Sequence, residues 1–456
     1  MLRLNLLSAV VLLLTFFQPI LAFSKESQQG PRPEENIPVY NPVSEKPETE
    51  SRVLSLAQCI ELAFENNPGL RIEQEKIIEL ENDYRIASAG LYPKVTASAY
   101  YTRLSSDRVG VQPTMQYSEE SLGQVKLKQL LYDGGKTGYN GRAAAKATDA
   151  QRDSAEAARL DTVYAVSQTY YRVLEARELL RVGENSRSQR EAFFKLTETF
   201  QKAGKATRLE SLRAEAQLLD AERLLVQVRE TLRISELILK KTMGIGVAAQ
   251  IAIADGLPEV FPEPGDEDIL LKQTLENNPD LKKSAQFKEQ ARFTIDSAWA
   301  SYLPEISLQG TYGYRDRNVG GAGDEWMTGV FLEWSLFEGG LTRAQVGKAR
   351  ARFREVEWSD KAVRDQIQVD LRQALGDMRT ALASIRASKR LVEAQDEAYK
   401  AVMEFYKRGK ATSIEVLTGE TDRTQAKAAY VRAVGDYQSA SARLDRVTGR
   451  REAVNR

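Results

Sequence analysis

Histidine is absent from the 456-residue chain, and cysteine occurs once, at Cys59. Without imidazole there is no Ser-His or Cys-His catalysis, no histidine metal ligand and no histidine proton switch. A lone cysteine closes no intrachain disulfide and builds no thiolate cluster; in its apolar helical stretch, packing is its default role. An excess of either charge is missing as well, since 64 Lys and Arg balance 64 Asp and Glu. That balance argues against nucleic acid as a partner, because neutralising phosphate needs a basic excess. Past residue 22 no window holds 18 consecutive apolar residues, so no later segment reads as a membrane-spanning helix. No cofactor motif survives inspection and catalysis has no positive evidence, so the chain does not read as an enzyme. Asp133-Gly134-Gly135-Lys136-Thr137 resembles a phosphate loop only until the first glycine of that pattern is sought, where Leu130 stands.

Proline is scarce and clustered. Residues 1–22 read as a secretory signal peptide: Arg3, an apolar stretch from Leu6 to Phe17, then Pro19 before Ala22. Residues 23–53, rich in Pro, Glu, Ser and Asn, read as a disordered leader. A second cluster (Pro258, Pro262, Pro264 with Gly256 and Gly265) marks a linker at 255–268.

The linker separates two copies of one pattern, 54–254 and 269–449, followed by a short tail at 450–456. Asn66-Asn67-Pro68 recurs as Asn277-Asn278-Pro279, Tyr92-Pro93 as Leu303-Pro304, and Tyr101 as Tyr312, all at an offset of 211. From Leu131 onward the offset is 205: Tyr132-Asp133-Gly134-Gly135 recurs as Phe337-Glu338-Gly339-Gly340, Gly204-Lys205-Ala206-Thr207 as Gly409-Lys410-Ala411-Thr412, and Gly244 as Gly449. One six-residue length difference (211 less 205) lies between Tyr101 and Leu131. Such differences collect in exposed loops, which predicts a loop at 103–120.

Each copy opens with helical sequence, Leu54 to Ala89 or Ile269 to Ala300, stopped before Pro93 or Pro304. Two alternating stretches follow: 94–103 and 121–131 in the first copy, 305–314 and 326–336 in the second. The paired glycines Gly134, Gly135, Gly339 and Gly340 suit strand-to-helix hinges, because glycine tolerates positive φ. From Gly135 to Gly204, and from Gly340 to Gly409, no proline interrupts 69 residues of helix-forming sequence, or roughly 100 Å of helix. A returning helix runs to Met243 or Val447. Its seam pairs large and small residues at spacings of 3 and 4: Leu218, Ala221, Leu225, Val228, Leu232, Ser235 and Leu239, then Tyr430, Ala433, Tyr437, Ala440, Leu444 and Val447. That spacing favours close antiparallel coiled-coil packing, with an ordinary helical-bundle core as the alternative.

Strands of ~9–11 alternating residues have the length of a transmembrane β-strand. Four per chain cannot close a barrel, and an open edge in hydrocarbon leaves backbone groups unpaired. If the strands enter a membrane, several copies must build one barrel. The alternative is a periplasmic or surface coiled-coil structural protein with no pore.

The export signal, the duplicated helix–hairpin–helix–helix order, the repeated Asn-Pro, Tyr/Leu-Pro and Asp/Glu-Gly-Gly motifs and the paired glycine turns together resemble the TolC-like outer-membrane efflux family, over about Leu54 to Gly449. The resemblance implies a mainly α fold with a small β part: long helical hairpins forming an α-barrel, and four transmembrane β-strands per chain in a barrel completed by trimerisation. It implies a passive outer-membrane exit duct for efflux or type I secretion, with a long periplasmic portion. It also implies a periplasmic adaptor and, through it, an inner-membrane pump or ATP-binding-cassette exporter. The glycine turns Gly204-Lys205-Ala206-Thr207 and Gly409-Lys410-Ala411-Thr412 become the adaptor-docking tips. Glu210 and Glu415, three residues after each threonine, stand at capping-box spacing. Family members narrow the tunnel entrance with acidic rings; the expected place here is Lys400, a basic residue, flanked by Asp396 and Glu404.

Overall fold

The computed structural model describes residues 52–103, 119–254, 256–317 and 322–450. The proposed signal peptide, most of the leader, the tip of the first hairpin loop and most of the tail lie outside the described residues. In chain order the elements are β1 (Arg52–Leu54), α1 (Leu56–Asn66), α2 (Pro68–Ser88), β2 (Lys94–Arg103), β3 (Glu119–Tyr132), α3 (Lys136–Lys202), α4 (Arg208–Met243), β4 (Ile251–Ile253), α5 (Glu267–Asn277), α6 (Pro279–Ala300), β5 (Glu305–Arg317), β6 (Gly323–Glu333), α7 (Leu341–Lys407) and α8 (Ser413–Thr448).

The two long helices are equal, 67 residues each. Their returning partners, 36 residues each, end on left-handed glycines, Gly244 and Gly449. Every residue of the two predicted seams is buried or half-buried, so the heptad spacing does seat α4 on α3 and α8 on α7. Tyr170, Leu174 and Leu239 centre the core of the first copy, and Leu371, Leu375 and Tyr437 that of the second.

The opening helices are not continuous. Each breaks at Asn-Pro, for the same reason in both copies. Proline cannot donate to the preceding turn but fits the first position of a new helix, so Pro68 and Pro279 restart the chain as α2 and α6. The asparagine before each proline caps the new helix: Asn67 Oδ1 accepts from the Gly69 N–H at 2.7 Å, and Asn278 Oδ1 from the Asp280 N–H at 2.9 Å. The amide of each then donates to the end of the returning helix, at the Thr242 carbonyl (2.9 Å) and the Val447 carbonyl (3.0 Å). Thus the repeated motif ties the start of each copy to its finish.

Three further expectations need correction. Arg52 and Val53, assigned to the leader, form β1, which pairs in parallel with β4; the backbone donors and acceptors of β4 select them, which composition does not encode. The linker at 255–268 ends sooner, because Asp266 caps α5, which begins at Glu267, and it is packed: Phe261 lies edge-on against Tyr437, whose hydroxyl donates to the Pro262 carbonyl at 2.6 Å. The predicted loop at 103–120 is shorter at its far end, since Glu119 and Glu120 join β3 and Glu120 is buried.

Candidate functional site: a membrane-facing sheet and the hairpin tips

Strands β2, β3, β5 and β6 form one antiparallel sheet in that order. Its register sorts the side chains by face, because successive residues alternate. One face carries Val95, Ala97, Ala99 and Tyr101 on β2, aligned with Leu127, Val125, Gly123 and Ser121 on β3. It continues through Leu308, Tyr312 and Tyr314 to Val330 and Trp326. Most of these apolar side chains lie open, Trp326 at 71% exposure and Val330 at 65%, while Leu127 and Leu308 are half-buried. Charged members of this face, Arg103, Glu119, Asp316 and Asp324, stand only at the loop ends of the strands. The opposite face carries Lys94, Thr96, Ser98, Lys126, Lys128, Gln124, Thr311 and Arg315. There Glu120 accepts from Arg315 at 2.7 Å and from the Tyr100 hydroxyl at 3.2 Å.

An apolar face open to the surroundings and a polar face behind it reverse the order of a soluble sheet. It is the order of a strand between lipid and a water-filled lumen. Aromatic residues bound the apolar band. Tyr101, Tyr314 and Trp326 lie toward the loops; Tyr132, Tyr302 and Trp334 lie toward the helices, where the Trp334 indole donates to the Tyr302 carbonyl at 3.1 Å. Trp326 and Trp334 are eight residues apart, about 27 Å along the strand and about 20 Å in height at a ~40° tilt. Among the described residues no helix is long and apolar enough to cross a membrane.

The sheet joins the helices through the paired glycines. All four have positive φ, from 60° to 87°. The Asp133 carboxylate fixes the first hinge, accepting from the Gly135 N–H at 2.9 Å and the Thr137 N–H at 2.7 Å. At the second hinge Glu338 accepts from the Thr342 hydroxyl at 2.7 Å, and this bond holds its carboxyl below the usual carboxylate range.

At the far end of the long helices the two turns are built alike. Gly204 and Gly409 are left-handed, at φ +72° and +70°. Lys205 N–H donates to the Phe200 carbonyl at 2.7 Å and Lys410 N–H to the Phe405 carbonyl at 2.8 Å, which closes each helix as a Schellman motif. Thr207 and Thr412 then cap the next helices, accepting from the N–H of Glu210 and Glu415 at 3.3 Å. The reciprocal bond of a capping box forms only in the second turn, where Thr412 N–H donates to the Glu415 carboxylate at 2.6 Å. Glu210 departs from that expectation: its carboxylate accepts from the Thr207 hydroxyl at 3.3 Å rather than from the Thr207 N–H, and from the Tyr406 hydroxyl of the second hairpin at 3.4 Å.

Tyr406 is the centre of an aromatic cluster joining the tips, 5.2 Å from Phe193 and 5.9 Å from Phe200 between ring centroids. Burial is the main cause, ahead of Glu210, that pushes its hydroxyl up to about 12. Nothing in the sequence marks Tyr406, because its repeat counterpart is Gln201.

Of the three entrance residues, Lys400 is exposed on α7 and Glu404 pairs with Lys407 at 2.9 Å. Asp396 is spoken for within the hairpin, with Arg423 at 2.5 Å and Lys427 at 3.1 Å. Partial burial opposes its ionisation, but these two cations prevail and hold its carboxyl below the usual range. Arg423 also binds the buried Glu420 at 3.2 Å and lies 5.0 Å from the Tyr399 ring centroid. The three residues therefore do not form one acidic cluster. Among the described residues no group of three His, Cys, Asp or Glu is placed to hold a metal.

A family model described as "Outer membrane efflux protein" matches residues 59–245 and 270–450, one segment per copy. The chain belongs to the outer membrane efflux protein family. It is similar to the outer membrane efflux protein BepC of Brucella suis, 23% identical over 88% of this chain and 86% of BepC. It is also similar to the toluene efflux pump outer membrane protein TtgC of Pseudomonas putida, 25% identical over 64% of this chain and 61% of TtgC. Its fold matches the crystal structure of the outer membrane protein VceC of Vibrio cholerae at a TM-score of 0.74 and 20% identity, over 86% of this chain and 96% of VceC. In this family's terms the chain is an outer-membrane efflux duct, its sheet in the membrane and its long helices in the periplasm.

Proposed function

We propose that the duct is a homotrimer whose chains each give four strands to one twelve-stranded barrel, and that it conducts passively. The observation that carries this reading is the sheet itself. Among the described residues both outer strands, β2 and β6, end the sheet without a neighbour while bearing the apolar face. Such edges are tolerable in lipid only if another copy pairs them. Eight strands leave an interior filled by side chains, whereas more strands leave a bore.

The chain carries out no chemistry of its own; energy comes from an inner-membrane pump or ATP-binding-cassette exporter, linked by a periplasmic adaptor. Relatives named as outer membrane proteins of efflux pumps support that partnership. The adaptor docks on the two glycine turns, where a β-carbon on Gly204 or Gly409 would meet no atom within 4 Å, so the backbone is open to a partner.

Native mass measurement on outer-membrane extracts tests the assembly: trimer is expected, and monomer in the membrane fraction refutes it. Replacing both tip glycines, Gly204→Val with Gly409→Val, is expected to leave trimer abundance normal and abolish adaptor crosslinking. Normal crosslinking would reduce the turns to plain hairpins.

A further inference from the structure

Two helices of the second copy meet end to end and leave a gap in the wall they help to build. Helix α8 stops at Thr448 and α6 starts at Pro279. Both pack on α3 and α7, and the Asn278 amide holds the two ends together through the Val447 carbonyl. Beside that joint lies a cavity of about 540 Å³, lined from all four helices, a volume suited to a small molecule.

Helix periodicity decides which way the cavity opens. Asp161 on α3 and Arg446 on α8 both line it. They stand nine residues from Tyr170 and Tyr437 respectively, which is about two and a half turns. Tyr170 packs with Cys59, Ile60 and Ala63 of α1, and Tyr437 bonds to the linker. The cavity therefore lies on the side of the long helices opposite that added layer, the side a ring of such helices turns to its bore.

Its walls join an apolar floor to one unmatched charge. Phe287, Val363 and Ile367 supply the floor, and Phe287 is 39% exposed. The acids are matched: Asp161 and Asp280 hold Arg446 at 2.6 and 3.0 Å, and Asp370 accepts from the Gln366 amide at 3.1 Å with Arg443 at 3.8 Å. Arg443 is itself paired with Asp377 at 3.1 Å. Lys283 differs. Among the described residues its ammonium forms no ion pair and donates to the Ser154 hydroxyl at 3.3 Å, while Glu73 on α2 senses its charge. The first copy lacks this set, since Ile72, Lys76 and Gly69 stand at the counterparts of Lys283, Phe287 and Asp280. The chemistry is thus not inherited from the repeated fold.

We propose that this cavity is a transient binding site for organic anions with an aromatic body, the anionic group on Lys283 and the ring on Phe287. The inference deepens the duct reading by naming a class of cargo, and rests on that reading for the bore side of the helices. An anion offsets the charge of Lys283, and its ring removes the apolar floor from water. An organic cation would meet the same ammonium beside carboxylates that are already taken. One free charge, rather than a cage of them, also suits conduction, which needs binding weak enough to be released.

Photolabelling tests the site in outer membranes that hold the full-length chain. The probe is 4-benzoylbenzoate, an aromatic carboxylate, with neutral benzophenone and (4-benzoylbenzyl)trimethylammonium as comparators. Peptide mapping is expected to place the carboxylate label on 280–287 or 359–370, and 2-naphthoate should compete for it. At subsaturating probe, Lys283→Gln should weaken the label about tenfold, as the loss of one charge-assisted hydrogen bond implies. Phe287→Ala should weaken it too, whereas Lys283→Arg should keep it. Equal or stronger labelling of the cavity by either comparator overturns the anion assignment. Absence of label there, label indifferent to Lys283→Gln, or label lost with Lys283→Arg as well overturns the role of Lys283 and the site with it. Native mass measurement on the same membranes reads the trimer separately, so failure of the cavity and failure of the duct reading are distinguishable.

Discussion

Four glycines, Gly204, Gly244, Gly409 and Gly449, end the four long helices at nearly one backbone geometry, φ +70° to +74°. Replacing each by alanine therefore imposes the same intrinsic cost, about 1–2 kcal/mol for a β-carbon in the left-handed region. Any further difference must come from what that carbon meets. At Gly204 and Gly409 it meets nothing within 4 Å, so Gly204→Ala and Gly409→Ala should stop at the shared cost. At Gly449 it lies 3.2 Å from the Asn277 carbonyl oxygen, a contact that a small shift relieves. At Gly244 it collides with the Asn66 carbonyl and stands 2.9 Å from the Asn67 Cα. Backbone cannot rotate away, and Asn67 carries the bond to the Thr242 carbonyl. Overpacking adds about 1–3 kcal/mol and the weakened hydrogen bond about 1, so Gly244→Ala should cost roughly 3–6 kcal/mol in all. The assay is the apparent unfolding temperature of each purified variant in one detergent at one protein concentration. The expected order of loss is Gly244→Ala, then Gly449→Ala, then the two tip variants together. If Gly204→Ala falls as far as Gly244→Ala, the close approach of backbone at the Asn-Asn-Pro motif is not what these glycines serve.

Neighbouring residues on opposite faces of β3 should respond oppositely to charge: Val125→Arg faces lipid and should cost about 2–4 kcal/mol near mid-band, cutting the amount in the outer membrane, whereas Gln124→Arg faces the lumen and should assemble normally. Asn278→Ala removes both the cap of α6 and the bond to the Val447 carbonyl from a buried site, so about 1–3 kcal/mol of lost stability is expected, while Asn278→Asp should keep the cap but set a buried carboxylate oxygen against the Val447 carbonyl and lose at least as much. Tyr399 and Tyr406 are both pushed up to about 12, chiefly by burial. A raised value means that the neutral hydroxyl is favoured in the folded state, so its stabilisation is complete below pH 10 and is lost as pH rises through about 12. Absorbance titration should show a late tyrosine phase that Tyr399→Phe and Tyr406→Phe each diminish; titration of every tyrosine near pH 10 would contradict the buried tip cluster.

Much of the molecule follows from sequence order alone, because its elements are local and its pattern is stated twice. Helix length needs only the absence of proline between Gly135 and Gly204, and the tip turns need only glycine followed by threonine. Strand alternation likewise marked β5 and most of β6, since a period of two belongs to the strand itself. The repeat offsets placed all of these without a single tertiary contact. What tertiary structure alone decided is where elements distant in the chain compete for the same group. Asn67 and Asn278 were visible as a motif, but their donation to carbonyls 175 and 169 residues away was not. Glu210 has the spacing of a capping box, yet its carboxylate also accepts from Tyr406 of the other hairpin, a partner the spacing does not show. Asp396 looks free on α7 until Arg423 and Lys427 approach from α8. Spacing along one helix reports the neighbours a residue has on that helix; which charge or donor arrives from another helix is set by packing, and that decides whether a carboxylate is a cap, a latch or half of an ion pair.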